Sequence, residues 1–144
     1  MNCETSIIVP NYNNGKYLQA CIESILIQDY KNYEIIVIDD NSQDESLKIL
    51  ENYKLNPKLK VLKLNKNKGP SFCRNIGIRI SKGKYIAFLD SDDYWEPNKL
   101  STQINYIKKN SYDFTYTDYY SFKEINNKKK ILKETNVRKK FDLK

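Results

Sequence analysis

The sequence predicts an α/β fold, a mainly parallel central sheet flanked by helices, and three observations lead there. Short apolar runs alternate along the N-terminal part with stretches whose apolar residues recur at three- and four-residue spacing. The run "EIIVID" at 34–39 is apolar enough to be buried on both faces, as strands inside parallel sheets are. Polar clusters follow three of the apolar runs, at the strand ends where such sheets collect their ligands.

The elements follow in order. "TSIIVP" at 5–10 is the first strand, ended by Pro10, which has no amide to donate. Tyr17, Leu18, Cys21, Ile22, Ile25 and Leu26 then form the stripe of an amphipathic helix. Strand two covers 34–39. "SQDE" at 42–45 reads as a capping box, with Ser42 on a free helix amide and Glu45 reaching back. Leu47, Leu50 and Tyr53 give the next helix its inner face.

"KVLKL" at 60–64 alternates more loosely, which suits an exposed third strand. "GPSFCRNIGIRIS" at 69–81 reads as loop then helix, with Pro70 in the first turn. "KYIAFLD" at 84–90 is the fourth strand, and Pro97 opens a helix carrying Leu100, Ile104 and Ile107 on one face. "YDFTYTD" at 112–118 is the predicted fifth strand, and 121–134 suggests a hairpin turning at Asn126 and Asn127. Alternation at this spacing means βαβ units with right-handed crossovers.

Composition narrows the chemistry. The chain has 144 residues, enough to bury one sizeable core. It has no run of about 18 apolar residues that could span a membrane. "MNCETSIIVP" lacks the basic and apolar regions of a signal peptide. Cys3, Cys21 and Cys73 are odd in number and widely spaced, so reduced thiols and a cytoplasmic location are expected.

There is no histidine, which excludes a Ser-His-Asp triad, a Cys-His pair and a His-ligated zinc. A metal must then be held mainly by oxygen, which selects magnesium, manganese or calcium. A general base must be a carboxylate, or less often Lys, Tyr or Cys. The net charge of +7 suits nucleic acid, an anionic membrane or a phosphorylated substrate. Solvated surface lysine explains it more simply, and no nucleic-acid partner is expected.

The sharpest motif is "YIAFLDSDDYWEPNKL" at 85–100, where an apolar run meets Asp90, Asp92 and Asp93. Carboxylates this close repel one another unless something positive stands among them. A divalent cation facing Asp90 and Asp92 answers that need and in turn binds phosphate oxygens. The plainer alternative is that Asp92 and Asp93 cap the following helix. Asp39 and Asp40 end strand two, where a carboxylate can accept from a pyrimidine ring N–H or from ribose hydroxyls, or else cap a helix. Arg74 can clamp phosphate or tie down the aspartates, or sit on a helix surface. Tyr12 can stack on a flat base or serve as a core aromatic. "PNYNN", "DDNSQD" and "DSDD" follow strands one, two and four, so they should converge on one edge of the sheet.

Together "SIIVPNYN", "VIDDNSQD", "GPSFCRNIGI" and "FLDSDD" resemble the nucleotide-sugar-binding half of family 2 glycosyltransferases, in the family's order, over about residues 4–120. The resemblance implies a Rossmann-like GT-A fold and transfer of a sugar, most often from a UDP-linked donor, to an acceptor hydroxyl with inversion. By that analogy Pro10 and Tyr12 line the base pocket, and Asp39 contacts uracil or ribose with Asp40 beside it. Arg74 falls in the family's Gly-x-x-x-x-Arg-Asn segment. Asp90 and Asp92 match its D-x-D, with Asp92 the favoured ligand of Mn2+ or Mg2+. Asn13 and Ser91 complete the expected nucleotide-binding set. Cys73 stands where the family usually has a small residue.

The resemblance divides the chain into a donor-binding core at 1–120 and a hairpin with basic tail at 121–144, the start of an incomplete acceptor region. Its general base is expected beyond Lys144, and Asp118 is not assigned that role. The expected setting is bacterial surface polysaccharide assembly, with a saccharide or lipid-linked acceptor and possible peripheral contact with the cytoplasmic face of the membrane. A donor-binding fragment without catalysis and a nucleotidyltransferase of related fold remain as alternatives. A receiver-type signalling domain fits poorly, because the acidic pair follows strand two and strand three ends in "LKLNKNKG" without a carboxylate.

Overall fold

The structure, a computed structural model, describes residues 3–125 and 128–135. It divides into two compact units, Met1–Thr102 and Gln103–Lys144. The first holds β1 (Thr5–Asn11), α1 (Gly15–Leu26), β2 (Tyr33–Asp39), α2 (Ser46–Glu51), β3 (Leu59–Lys63), α3 (Pro70–Ile80) and β4 (Tyr85–Phe88). Helix α4 (Lys99–Asn110) runs across the division.

The sheet of the first unit has four strands in the order β3-β2-β1-β4, all parallel. The chain builds outward from β1 to β3 and then crosses back to lay β4 on the other side of β1. That reversal opens a crevice at the carboxyl ends of β1 and its neighbours, where α/β sheets bind ligands. In the β1–β2 register Pro10 pairs with Ile38 and Asn11 with Asp39, so the polar clusters leave the sheet at one level.

Burial follows the sequence pattern. β1 and β2 are buried along their whole length, and Ile7, Ile8, Val9 and Ile35 to Ile38 have no exposed surface. Leu18, Ile22 and Ile25 bring the inner face of α1 to the core. On α3, Cys73 joins Ile36 and Ile38 in a cluster flanked by Leu64 and Ile76. Close approach of α3 to β1 depends on Gly77, where a Cβ would lie 2.4 Å from Ile8 Cγ2. β3 is the edge strand expected from its looser pattern, with Lys60, Val61, Leu62 and Lys63 exposed.

Two expectations are corrected. Ser42 does not cap α2: the helix starts at Ser46, and its N-cap residue Glu45 makes no side-chain cap bond. Ser42 Oγ instead accepts from Asn11 Nδ2 and the Asn13 amide. Asp44 receives the Ser46 amide at 3.0 Å. The reason is distance along the chain, since Ser42 has barely left β2 and is still buried against the β1 loop.

The second correction lies in the second unit. Residues 112–118 are not a strand; β5 (Tyr119–Ile125) begins after them and pairs antiparallel with β6 (Lys128–Thr135). The alternation in "YDFTYTD" serves no buried face, because Tyr112, Phe114 and Tyr116 are 50%, 75% and 50% exposed. The predicted hairpin exists, with a register shift between Ser121 and Phe122, while its turn at Asn126 and Asn127 and the tail from residue 136 lie outside the described residues.

Candidate functional site

A cavity of about 410 Å³ opens at the carboxyl ends of β1, β2 and β4. Pro10, Asn11, Tyr12 and Asn14 line it from the β1 loop, Asp40 from the end of β2, and Asp90, Ser91 and Asp92 from the loop after β4. Asn67, Gly69, Pro70, Cys73 and Arg74 close it from the α3 side. The structure thus brings together Pro10, Tyr12, Asp40, Arg74, Asp90, Ser91 and Asp92. Asp39 and Asn13 do not line the cavity.

Asp39 has no exposed surface. Its Oδ1 accepts from Asn11 Nδ2 at 2.8 Å and its Oδ2 from the Ser42 amide at 3.0 Å. Asn13 is spent similarly: its amide donates to Ser42 Oγ, and its Oδ1 accepts from the Gln43 amide at 2.8 Å. Both residues clasp the β1 loop to the β2 loop. They shape the wall of the cavity from behind.

Asp40 faces the other way. It is 2% exposed, and its two oxygens accept from the amides of Lys68 at 2.8 Å and Gly69 at 2.7 Å. Gly69 has φ +85°, a conformation strained for residues with a Cβ, so the turn into α3 can present its amide to the carboxylate. Burial, then the charge of Asp40, pushes the adjoining Cys73 thiol up to about 11. That thiol is neutral at ordinary pH.

Ser91 is 1% exposed and accepts a bond of 2.9 Å from Asn14 Nδ2, tying the β4 loop to the β1 loop. Tyr12 lines the cavity and is 46% exposed. Asn11, Asn14, Asn67, Gly69, Pro70 and Cys73 are cavity residues absent from the sequence-derived set. Asn11 and Asn14 stand inside the "PNYNN" cluster, which signals them as a group; nothing in "NKNKG" singles out Asn67.

The positive partner of the acidic loop is Arg74, whose Nη2 lies 2.5 Å from Asp90 Oδ1. One guanidinium does not neutralise three carboxylates. Burial raises the pKa of Asp93, and the charges of Asp92 and Asp90 raise it further. The buried thiol of Cys21, whose Sγ donates to the Asp90 carbonyl, is pushed up to about 12 by burial and then by Asp93, Asp92 and Asp90. Negative potential is therefore left over at this loop.

Among the described residues no group of three or more His, Cys, Asp or Glu is arranged to hold a metal alone. Two carboxylates on a cavity wall, with negative potential to spare, fit an ion of the magnesium type. Such ions commonly take one or two protein carboxylates and complete their shell with water and substrate phosphate.

The family model described as "Glycosyl transferase family 2" matches residues 6–143. The chain is 43% identical over 120 residues to the Escherichia coli protein named UDP-Glc:alpha-D-GlcNAc-diphosphoundecaprenol beta-1,3-glucosyltransferase WfaP, covering 83% of this chain and 47% of that protein. It is 36% identical over 115 residues to the Bacillus subtilis putative teichuronic acid biosynthesis glycosyltransferase TuaG, covering 79% of this chain and 46% of that protein. The chain thus spans less than half the length of these curated relatives. Among solved structures, S. aureus TarS 1–349 in complex with UDP-GlcNAc superposes with a TM-score of 0.70 at 36% identity, covering 74% of this chain and 31% of that one. That likeness bears out the expected α/β architecture of the GT-A type, and with a family model matching almost end to end, the chain belongs to glycosyl transferase family 2.

Proposed function

We propose that this chain is the donor-binding part of a glycosyltransferase that takes a sugar from a nucleoside diphosphate, most simply a UDP-sugar, and passes it with inversion to an acceptor hydroxyl. The observation that carries this reading is the meeting of Tyr12, Arg74, Asp90 and Asp92 in one cavity at the sheet's reversal point. An aromatic face, a guanidinium and an acidic loop are what a base, a diphosphate and its counter-ion require.

Tyr12 and Pro10 flank the base, Asp40 holds the α3 loop against it, and Arg74 meets the diphosphate. Asp90 and Asp92 would hold a Mn2+ or Mg2+ ion, which would supply charge neutralisation for the departing nucleoside diphosphate. Asp39 and Asn13 act from behind the wall by fixing the loops, and Ser91, on the wall itself, ties the β4 loop to the β1 loop. The name of WfaP and the UDP-GlcNAc complex of TarS support UDP-sugar donors, and the name of WfaP a lipid-linked acceptor. TuaG's name supports a place in bacterial surface polysaccharide synthesis. Among the described residues no helix is long and apolar enough to cross a membrane. We place the protein in the cytoplasm, meeting a lipid-linked acceptor at the membrane surface.

The test is calorimetric titration of UDP with Mn2+ and with a chelator, repeated on Asp92→Ala, with GDP and dTDP as comparators. Mn2+-dependent UDP binding that the substitution abolishes supports the reading. Absence of binding by all three nucleotides overturns it.

A further inference from the structure

Arg74 and Asp90 are sixteen residues apart, on α3 and after β4, and meet at 2.5 Å across the cavity they both line. Each belongs to a well-anchored element. α3 is packed on β1 at Gly77 and Ile8. Asp90 follows Leu89, which is 4% exposed and donates its amide to the Ile8 carbonyl. The pair is therefore set by the packing of two elements on the same strand.

Asp92 differs from its neighbour: it is exposed, and no described residue bonds or pairs with it. So of the two loop carboxylates that line the cavity, Asp92 is open and Asp90 has its Oδ1 engaged by a protein cation. A guanidinium has five donors and no acceptor, and a diphosphate offers it oxygens as good as a carboxylate's. A cation approaching Asp90 without nucleotide must compete with Arg74. With a diphosphate in the cavity, Arg74 has another partner to turn to.

Resting on the donor-binding reading above, we propose that Arg74 gates Asp90, so that this carboxylate becomes available to a divalent cation only when a nucleoside diphosphate draws the guanidinium away. Arg74 is then a positioning residue as well as a phosphate contact. Nucleotide and metal bind with positive coupling, and Arg74 carries part of it. Couplings between sites typically amount to about 5- to 150-fold in affinity.

The experiment measures Mn2+ affinity from the paramagnetic resonance signal of free Mn2+, with UDP, with uridine and with neither. Wild type is compared with Arg74→Met, Arg74→Lys and Arg79→Met, the last removing the same charge from the exposed last turn of α3. The expected result for wild type is weak Mn2+ binding that UDP tightens by about tenfold or more and uridine does not. Arg74→Met binds Mn2+ several-fold tighter without nucleotide, and its gain from UDP shrinks. Arg74→Lys recovers part of the gain, and Arg79→Met behaves as wild type.

Asp90→Asn breaks the same pair without touching α3. It should cost more Mn2+ affinity in the presence of UDP than in its absence. Unchanged or weaker nucleotide-free Mn2+ binding in Arg74→Met, equal tightening in Arg79→Met, or equal losses in Asp90→Asn with and without UDP would each overturn the gate. If wild type binds no UDP at all, the donor-binding reading itself has failed, and that outcome is separable because it appears before any variant is compared.

Discussion

Asn11 stands in register with Asp39 across β1 and β2, and its Nδ2 donates to Asp39 Oδ1 at 2.8 Å with both residues buried. A carboxylate only accepts, so this contact fixes which way the Asn11 amide faces. Asp39 also takes the Ser42 amide, and Ser42 takes the Asn13 amide. The chain of bonds pins the β1 loop, which carries Tyr12, to the β2 loop.

Asp39→Ala should therefore act first on stability. It strands the Ser42 amide and takes from Asn11 Nδ2 its charged acceptor, leaving that group only Ser42 Oγ, at a cost of about 3 kcal/mol. Urea denaturation measures this. A loss below about 0.5 kcal/mol, the range of ordinary surface substitutions, would mean that the loops are held by something else.

Tyr12→Ala should leave folding nearly intact, since the ring is 46% exposed. On the donor-binding reading it weakens UDP by about 5- to 150-fold, the equivalent of one base–aromatic stack of about 1–3 kcal/mol. Inorganic pyrophosphate, which has no base, should bind wild type and variant alike. Equal losses for UDP and pyrophosphate would mean that Tyr12 does not hold the base.

At the opposite end of the sheet, Glu34 accepts from Ser6 Oγ at 2.7 Å and from the Lys82 amide at 2.8 Å, and pairs with Lys60 at 2.6 Å. Burial works to raise its pKa, but Lys60, Ser6 and Lys82 outweigh it and bring the group from 4.5 down to about 2. A depressed carboxylate contributes stability above its unfolded pKa and loses it as pH falls through the folded value. Stability should thus decline between pH 4.5 and about 2, and Glu34→Gln should flatten that part of the profile. An unchanged slope in the variant would assign the acid loss to other carboxylates.

Lys99 has the opposite sign. Its ammonium lies 4.0 Å from the centre of the Trp95 ring, and burial lowers its pKa from 10.5 to about 8. Between those values the unfolded chain binds more protons than the folded one, so this group makes stability rise with pH. Lys99→Met should remove that rise and gain most, relative to wild type, below about pH 8. Parallel curves for the two proteins would show that the ammonium is not penalised by its surroundings.

The βαβ order, the buried second strand and the gathering of three polar clusters were legible because each rests on local pattern and on the geometry of parallel sheets. The capping box at Ser42 misled because its spacing is the same whether or not a helix has begun. Only the β1–β2 register shows that Ser42 is still beside Asn11 and Asn13. The segment 112–118 misled for a related reason: alternation marks a strand only where a neighbouring strand pairs with it, and among the described residues none pairs with 112–118.

By itself, then, the sequence determined the class of the fold, the edge of the sheet where ligands gather, and the kind of chemistry available without histidine. Tertiary structure decided what adjacent residues do there. Asp39 and Asp40 are indistinguishable in the sequence, yet successive side chains along a strand face opposite ways, so one braces the β1 loop while the other holds the turn into α3. The pairing of Arg74 with Asp90 was decided the same way, because the partners come from two elements that meet only when α3 and β4 are both laid against β1.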